Sequence, residues 1–231
     1  MNIRLRTTVE PLSFALLFCI LLGHTNAFSS ELSAGYSSRY VSEGRDNLDG
    51  HAIATLTADI GLPSNWSMLI WHGEAAGIPY TESNVALAYN TRFSTIKTQI
   101  SLNKVYTHQS PDDEEVSIAL ETSWHALTIS LNSVYSNNAN GHFHSLFALY
   151  DIPINDTFSL TPFIEVAFDN GYASEAVNGH SHNQIGVNTS VSLNNNLNLQ
   201  GSLAHNMAGK DVKASGQNDT NVASVAITYL F

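Results

Sequence analysis

The sequence has little of three things: cysteine, basic side chains and long apolar runs. Its single cysteine, Cys19, lies near the amino terminus, so disulfides cannot cross-link the rest of the chain. There are 9 Lys and Arg residues against 20 Asp and Glu residues. This balance excludes the basic patch that nucleic-acid binding requires, and it argues against docking on anionic lipid through charge. After Leu22 no apolar run approaches the roughly 20 residues of a membrane-spanning helix, so a membrane form of this chain must cross with strands.

Residues 1–27 have the pattern of a secretory signal peptide. Arg4 and Arg6 precede an apolar run over residues 12–22, and small residues surround a cleavage point after Ala27. We therefore predict two parts, a signal peptide over residues 1–27 and a mature chain over residues 28–231. The mature chain keeps 7 Lys and Arg and 19 Asp and Glu residues, a net charge of −12.

The mature sequence divides into segments of about ten residues in which apolar and polar side chains alternate. The pattern predicts an all-β fold, a transmembrane antiparallel up-and-down β-barrel of about 12 strands, although 10 or 14 strands also fit. The predicted strands are 31–41, 51–62, 66–75, 84–94, 96–107, 116–124, 127–136, 143–152, 157–169, 184–193, 197–206 and 221–231.

The predicted connections alternate between short turns and long loops. Pro63-Ser64-Asn65 and Asn194-Asn195-Asn196 are typical short turns, whereas residues 42–50 and 207–220 are long loops. Outer-membrane barrels have short periplasmic turns and long extracellular loops. The alternation therefore predicts the bacterial outer membrane, with both termini in the periplasm and outer-membrane lipid around the barrel.

In most segments the apolar residues share one face and small polar residues share the other, which predicts a polar lumen. The charged residues on the polar faces are candidate lumen-lining residues: Arg39, Asp59, Arg92, Lys97, Glu121 and Glu165. Acids and bases are balanced in this set, so it predicts no strong ion preference. The acidic loops would still bias the mouth toward cations.

The last segment ends on an apolar face made by alternate residues, namely Ala223, Val225, Ile227, Tyr229 and Phe231. This ending resembles the C-terminal strand of bacterial outer-membrane β-barrels. The resemblance implies that these five residues form the signal read by the barrel-assembly machinery. The first segment resembles the opening strand of an uncharacterised proteobacterial outer-membrane family at Ser38, Tyr40 and Gly44, which supports the location but implies no substrate.

Two histidine tetrapeptides, Gly-His-Phe-His and Gly-His-Ser-His, fall in predicted long loops. Neighbouring loops would bring His142, His144, His180 and His182 together, and imidazole suits zinc, copper or nickel. Ordinary polar loop residues are the favoured interpretation. The carboxylate run over residues 112–115 is likewise interpreted as a solvated loop in preference to a calcium site. No cofactor is predicted.

The favoured function is a narrow channel for passive passage of small polar solutes, because twelve strands lie between a filled barrel and a wide pore. One alternative is a non-conducting structural or binding barrel that uses its long loops. Inward packing of Trp66, Met68 and Ile70 would favour that alternative. A second alternative is a rim enzyme, for which His144-Ser145 and Ser181-His182 are candidates only by adjacency, so no enzymatic activity is predicted.

Overall fold

The computed structural model describes residues 30–108, 110–173 and 178–231. The predicted signal peptide lies outside these residues. The elements in chain order are β1 (Glu31–Ser37), β2 (Val41–Ser42), β3 (Arg45–Asp46), β4 (Ile53–Gly61), β5 (Trp66–Ala75), β6 (Thr81–Phe93), β7 (Ile96–Thr107), β8 (Asp113–Trp124), β9 (Leu127–Ser136), β10 (Gly141–Tyr150), β11 (Ile152–Pro153), β12 (Phe158–Asn170), β13 (Gly179–Ser192), β14 (Leu197–Ala208), α1 (Lys210–Ala214) and β15 (Thr220–Leu230). Within the described residues, no helix is long and apolar enough to cross a membrane.

Twelve of these strands form a closed antiparallel barrel. Consecutive strands pair along the sheet, β1 pairs with both β4 and β15, and β10 pairs with both β9 and β12. The three remaining strands have two residues each. Strands β2 and β3 pair with each other and are not part of the barrel wall, and β11 extends the edge of β12. The predicted fold, a twelve-stranded antiparallel barrel, is confirmed.

The barrel has a short-turn end and a long-loop end. The short-turn end carries both termini and the connections 62–65, 94–95, 125–126, 151–157 and 193–196, whereas the long-loop end carries 38–52, 76–80, 108–112, 137–140, 171–178 and 209–219. The alternation is weaker than predicted, because β6, β8 and β13 begin 3 to 5 residues earlier than their predicted segments. By contrast β1 ends at Ser37, so its predicted end at residue 41 was wrong.

The outer face of the barrel is apolar and uncovered. Residues that pair across strands point to the same face, so the register assigns each side chain to the inside or the outside. Phe93 at the short-turn end is 82% exposed, and Leu203 on the wall is 62% exposed. Many further large apolar side chains on this face are exposed, among them Leu102, Trp124, Ile164, Ile185 and Val225. Such a surface suits lipid and not water.

Strand β5 carries large side chains on both faces. Its register with β4 and β6 places Trp66, Met68 and Ile70 outside and Leu69 and Trp71 inside. The inward packing of Trp66 that would favour a plugged barrel is therefore not observed. The inner aromatic of this strand is Trp71.

Pro162 lies at a gap in the pairing of β12 with β10 and β11, while on its other side it pairs with Val187 of β13. Strand β10 pairs with β12 up to Leu149↔Phe163, and β11 resumes the pairing at Ile152↔Leu160. Proline has no N–H to donate, so it is tolerated where the ladder is interrupted. The interruption falls opposite Pro162.

Candidate functional site in the barrel lumen

Acidic side chains outnumber basic ones on the inner face of the barrel. The strand register places inside the acids Glu31, Asp59, Glu82, Asp113, Glu115, Glu121, Glu165 and Asp169, and the bases Arg92 and Lys97. The remainder of this face consists largely of small polar residues such as Ser33, Ser101 and Ser202. The lumen is therefore polar and carries a net negative charge.

Five of the six lumen candidates from the sequence lie on inner faces. Arg92 and Lys97 are register partners near the short-turn end, where Lys97 Nζ lies 2.6 Å from Glu121 Oε1. Glu165 Oε2 lies 3.6 Å from His182 Nε2. Asp59 makes no side-chain hydrogen bond or ion pair with any other residue that the structure describes.

The sixth candidate, Arg39, does not lie on a barrel strand. Strand β1 ends two residues before it, and Arg39 Nη1 instead lies 2.5 Å from Asp46 Oδ2 within the connection 38–52. The period-2 pattern continues past Ser37 although the strand does not. Arg39 therefore belongs to the loop that covers the lumen and not to a strand face.

That loop carries a hairpin that turns into the barrel, which we call the inner hairpin (residues 41–46). Its strands pair as Val41↔Asp46 and Ser42↔Arg45. The two turn residues, Glu43 and Gly44, have φ values of 49° and 80°, as in a type I′ turn. A Cβ on Gly44 would lie 2.5 Å from His182 Nδ1, so only glycine allows the turn to approach the barrel wall this closely.

The tip of the inner hairpin is held by side chains from two barrel strands. Ser181 Oγ donates a hydrogen bond to the Glu43 carbonyl at 2.7 Å, and Asn206 Nδ2 donates one to the Gly44 carbonyl at 2.8 Å. Both side chains are fully buried. The tip is thus fixed against β13 and β14.

A buried ion cluster anchors the returning strand of the hairpin. Arg45 is 6% exposed and forms ion pairs with Asp169 at 3.3 Å and with Asp211. Both aspartates are fully buried, and Asp211 is supplied by α1. An unpaired charge is costly to bury, so the burial of each of these three side chains requires the opposite charge of its partner.

Aromatic and apolar contacts hold the opposite side of the loop against β5 and β6. The Tyr40 ring stacks on Trp71 with ring centroids 5.9 Å apart, and its hydroxyl donates to Glu82 at 3.0 Å. Leu48 packs into a buried cluster with Ile53. The loop therefore reaches across the mouth, from β5 and β6 on one side to β13 and β14 on the other.

The inner hairpin divides the mouth of the lumen into two cavities. The larger, about 520 Å³, adjoins β4 to β9, and the smaller, about 280 Å³, adjoins β9 to β13; Val41 lines both. A third cavity of about 500 Å³ opens at the short-turn end beside Arg92 and Lys97. Gln99 lines both this cavity and the larger mouth cavity, so the two adjoin.

Burial changes the acid–base chemistry at the hairpin. Burial raises the pKa of Glu43 from 4.5 to about 7, and the charges of Glu115 and Glu82 act in the same direction, while the Ser42 hydroxyl and Arg45 oppose it. Burial also raises the pKa of Tyr40, with the nearby Glu82 charge as the second cause. Glu43 is therefore a carboxylate that titrates close to neutral pH inside the mouth.

The four histidines of the proposed metal site do not converge. Both tetrapeptides open strands, β10 and β13, and are not loops as predicted. His142 and His144 lie outside with their rings stacked 6.0 Å apart, and His180 lies outside beside Phe168. His182 lies inside, because a bulge opposite Ala167 and Phe168 adds a residue to β13. Among the described residues, no three His, Cys, Asp or Glu side chains form a metal cluster.

Ser181 and His182 contact each other, although alternation along a regular strand would separate them. Ser181 Oγ lies 3.2 Å from His182 Nδ1, and both side chains are almost fully buried. The hydroxyl hydrogen of Ser181, however, is donated to the Glu43 carbonyl. This serine holds the hairpin, and its geometry is not that of an activated nucleophile.

The residues of the C-terminal pattern line the outer face of β15 and its end. Val225 and Ile227 pair with Tyr36 and Ala34, and Ala223 pairs with Leu203. The Tyr229 and Phe231 rings stack with centroids 6.2 Å apart. The apolar face predicted for these residues is present in the strand, and their role as an assembly signal stays a prediction.

Sequence reasoning missed the inner hairpin and its anchors. Ser38, Tyr40 and Gly44, the positions of the first-strand resemblance, all lie in the connection 38–52 and not in a strand. A Glu-Gly pair is a weak turn signal, and the hairpin strands are too short to show periodicity. No local signal marks Asp211 or Asn206 as partners of a loop more than 160 positions earlier.

No family model matches the chain, and no curated protein matches it. The resemblance to an uncharacterised outer-membrane family is therefore not supported by a family match. Among solved structures, the chain is similar to KdgM porin with a TM-score of 0.61 and 10% identity, over 88% of this chain and 99% of that one. KdgM porin has also been solved in complex with disordered oligogalacturonate.

Two further channels have the same architecture. NanC porin has a TM-score of 0.60 and 10% identity, over 87% of this chain and 98% of that one. An outer-membrane channel from Pseudomonas putida F1 has a TM-score of 0.53 and 7% identity, over 90% of this chain and 97% of that one. At these identities the likeness shows the fold, an outer-membrane-type β-barrel.

Proposed function

We propose that this protein is an outer-membrane channel for passive passage of small polar solutes, and that it favours cations over anions. The observation that carries the proposal is the composition of the inner face, where acids outnumber bases. Fixed charges on the wall of a narrow pore attract counter-ions and repel ions of the same sign. The unpaired Asp59 and the half-buried Glu115 lie along the larger mouth cavity.

The apolar outer face supports the location. Large exposed side chains surround the barrel, and a barrel in lipid needs such a surface. By this proposal the short-turn end and both termini are periplasmic, the long-loop end is extracellular, and outer-membrane lipid surrounds the wall. The C-terminal face from Ala223 to Phe231 is then available to the barrel-assembly machinery.

The inner hairpin sets the width of the pathway. Twelve strands enclose more space than side chains alone fill, and the hairpin occupies part of that space at the mouth. The larger mouth cavity and the short-turn cavity adjoin at Gln99 and outline a path past the hairpin. A solute crossing the barrel would pass Trp71 and Glu115 first and the Lys97–Glu121 pair last.

The acidic lumen distinguishes this chain from a carrier of acidic sugars. Oligogalacturonate, found with KdgM porin, is an oligomer of a sugar acid and carries many negative charges. The inner face of this barrel offers only Arg92 and Lys97 among its described strand residues, and Lys97 is paired. Polyanions would be repelled at the mouth, so we infer a different solute class.

A second candidate is a closed binding barrel, and the anchoring of the inner hairpin favours it. A loop fixed by buried ion pairs and by hydrogen bonds from two strands leaves the mouth only if those contacts break. If the hairpin blocks the path, the extracellular loops carry the function. Conductance separates this candidate from the channel.

The deciding experiment is the reversal potential of the refolded barrel, residues 28–231, in a planar bilayer under a salt gradient. Two adjacent acids give a matched pair, because Glu115 faces the lumen and Glu114 faces outward beside Lys104. We expect discrete conductance steps with potassium favoured over chloride. Glu115→Gln should lower this preference by about fivefold, because one unit charge within about 4 Å of an ion is worth about 1 kcal/mol in water.

Glu114→Gln should leave the reversal potential unchanged. Equal effects of the two substitutions would contradict a pathway through the lumen. A folded barrel with heat-modifiable gel mobility and no conductance would reject the channel and leave the closed binding barrel.

A further inference from the structure

The larger mouth cavity has the properties of a binding site and not only of a passage. Its volume of about 520 Å³ lies in the range of small-molecule sites. Its walls come from the connection 38–52 on one side and from strands β4 to β9 on the other. The cavity is therefore built jointly by the loop and the barrel.

One wall of the cavity is aromatic. Tyr40 and Trp71 stack in this wall with their ring planes 22° apart, and Tyr80 lies against Tyr40 with centroids 6.2 Å apart. The hydroxyls of Tyr40 and Tyr80 both donate to Glu82, at 3.0 and 2.6 Å. Aromatic faces attract cations, and tryptophan does so most strongly.

The charged side chains that line the cavity are acidic. Asp59 and Glu115 line it, and no Lys or Arg does so among the described residues. Asp59 has no partner among the residues that the structure describes, so its carboxylate is available to a solute. A cation entering this space would meet two negative charges and an aromatic wall.

Two asparagine side chains in the cavity wall, Asn84 and Asn103, are held by hydrogen bonds to carboxylates. Asn84 Nδ2 donates to Glu82 at 3.0 Å, and Asn103 Nδ2 donates to Glu115 at 2.8 Å. Because carboxylates only accept hydrogen bonds, these contacts fix the orientation of both amides. The oxygens Asn84 Oδ1 and Asn103 Oδ1 are buried without partners. The Asn103 contact also holds the Glu115 carboxylate in place at the cavity wall.

We propose that this cavity is a binding subsite for small organic cations that carry an ammonium or guanidinium group. The inference deepens the proposed channel function, since it names the solute class at the mouth of the same pathway. Organic cations fit better than metal ions, because the described residues hold no metal cluster and because the aromatic wall suits an extended cation. Anions fit poorly, because the cavity offers them no base.

Binding is measured first on the detergent-refolded barrel without any flux, by isothermal titration with agmatine. Glucose and gluconate, which are neutral and anionic, serve as comparison probes. We expect agmatine to bind and the other two to bind at least tenfold more weakly. Asp59→Asn and Trp71→Leu should each weaken agmatine binding by about fivefold, the scale of one solvent-exposed cation–π contact or ion pair.

Trp66→Leu is the matched control, because Trp66 lies on the outer face of the same strand and contacts Tyr89. It should leave agmatine binding unchanged, and heat-modifiable mobility checks that each variant folds. Asp59→Asn is nearly isosteric, so it keeps the test decisive if Trp71→Leu does not fold. Glucose or gluconate binding as tightly as agmatine would overturn the proposal, as would equal losses in the Trp66 and Trp71 variants.

Conductance of the same preparation separates the two proposals. A barrel that conducts but does not bind agmatine retains the channel and removes the subsite. A barrel that binds agmatine and never conducts retains the subsite and removes the channel. Agmatine that binds and also reduces the single-channel current supports both.

Discussion

The two ends of this barrel are built differently inside. At the long-loop end Arg45 lies between Asp169 and Asp211, with side chains 8%, 0% and 0% exposed. At the short-turn end Lys97 and Glu121 also form an ion pair, but their side chains are 58% and 38% exposed. Both ends contain ion pairs, but only those at the long-loop end are buried away from water.

The difference separates two roles for ion pairs in one lumen. A buried pair holds a loop firmly, because breaking it strands a charge away from water. An exposed pair contributes little to stability and remains free to interact with passing ions. We infer that the buried pairs at the long-loop end set the shape of the pathway and that the exposed pair at the short-turn end adds to the charge along it.

The largest effect is expected for Arg45→Met, which leaves Asp169 and Asp211 buried without their cation. Removing one partner of a buried ion pair costs about 3–5 kcal/mol, more than enough to release a loop. We expect a several-fold rise in conductance and new protease cleavage within residues 38–52. The barrel itself should keep its heat-modifiable mobility, since these charges hold the hairpin and not the strand ladder.

Lys97→Met is the comparison at the other end, and it should open no cleavage site in residues 38–52. If the two substitutions changed conductance and cleavage alike, the distinction between the ends would fail.

A smaller effect is expected from pH, through Glu43 at the hairpin tip. Its pKa is about 7 when the hairpin is docked in the barrel (the seated state), against 4.5 for an ordinary glutamate. Docking therefore favours the protonated acid. The seated state is then most stable below about pH 4.5, and it loses up to about 3 kcal/mol as the pH rises through 7. Protease cleavage of residues 38–52 should therefore be faster at pH 8 than at pH 5.5.

Glu43→Gln removes the titrating group and keeps the size of the side chain. This variant should show a flat profile, at the cleavage rate that the unchanged protein reaches near pH 4.5. A profile that kept its slope would show that Glu43 is not the titrating group.

The smallest effect is expected at the exposed pair. Lys97→Met and Glu121→Gln should each change the free energy of unfolding by less than about 1 kcal/mol, because surface ion pairs contribute little. Their effect should fall instead on selectivity, where Glu121→Gln lowers cation preference and Lys97→Met raises it. Urea unfolding in detergent and reversal potentials measure the two quantities, and a loss of more than about 2 kcal/mol in either variant would show that this pair is structural.

The barrel was predictable from the sequence because the alternation of apolar and polar residues can be recognised within each strand alone. Alternation fixed the face of Ile227, Leu102 and Glu121 without reference to other strands. The same reasoning failed at His180 and His182, because a bulge added one residue and sent the first outside and the second inside. A single sequence has no signal for such a bulge.

The candidate site was less predictable because it depends on distant pairs. Asp59 and Lys97 could be found from their own strands. Arg45, by contrast, needs Asp211 to explain its burial, and Trp71 needs Tyr40. Such contacts depend on how a loop folds into a closed barrel, and neither propensity nor period encodes that.

The anchors of the inner hairpin come from late parts of the chain. Ser181, Asn206 and Asp211 follow the hairpin by 138 to 166 positions. The hairpin precedes them in the chain, so it has no docking partners until β13, β14 and α1 have folded. Its docking therefore has to follow the folding of these elements, and until then a half-built wall would keep an exposed, protease-sensitive loop that marks it as unfinished.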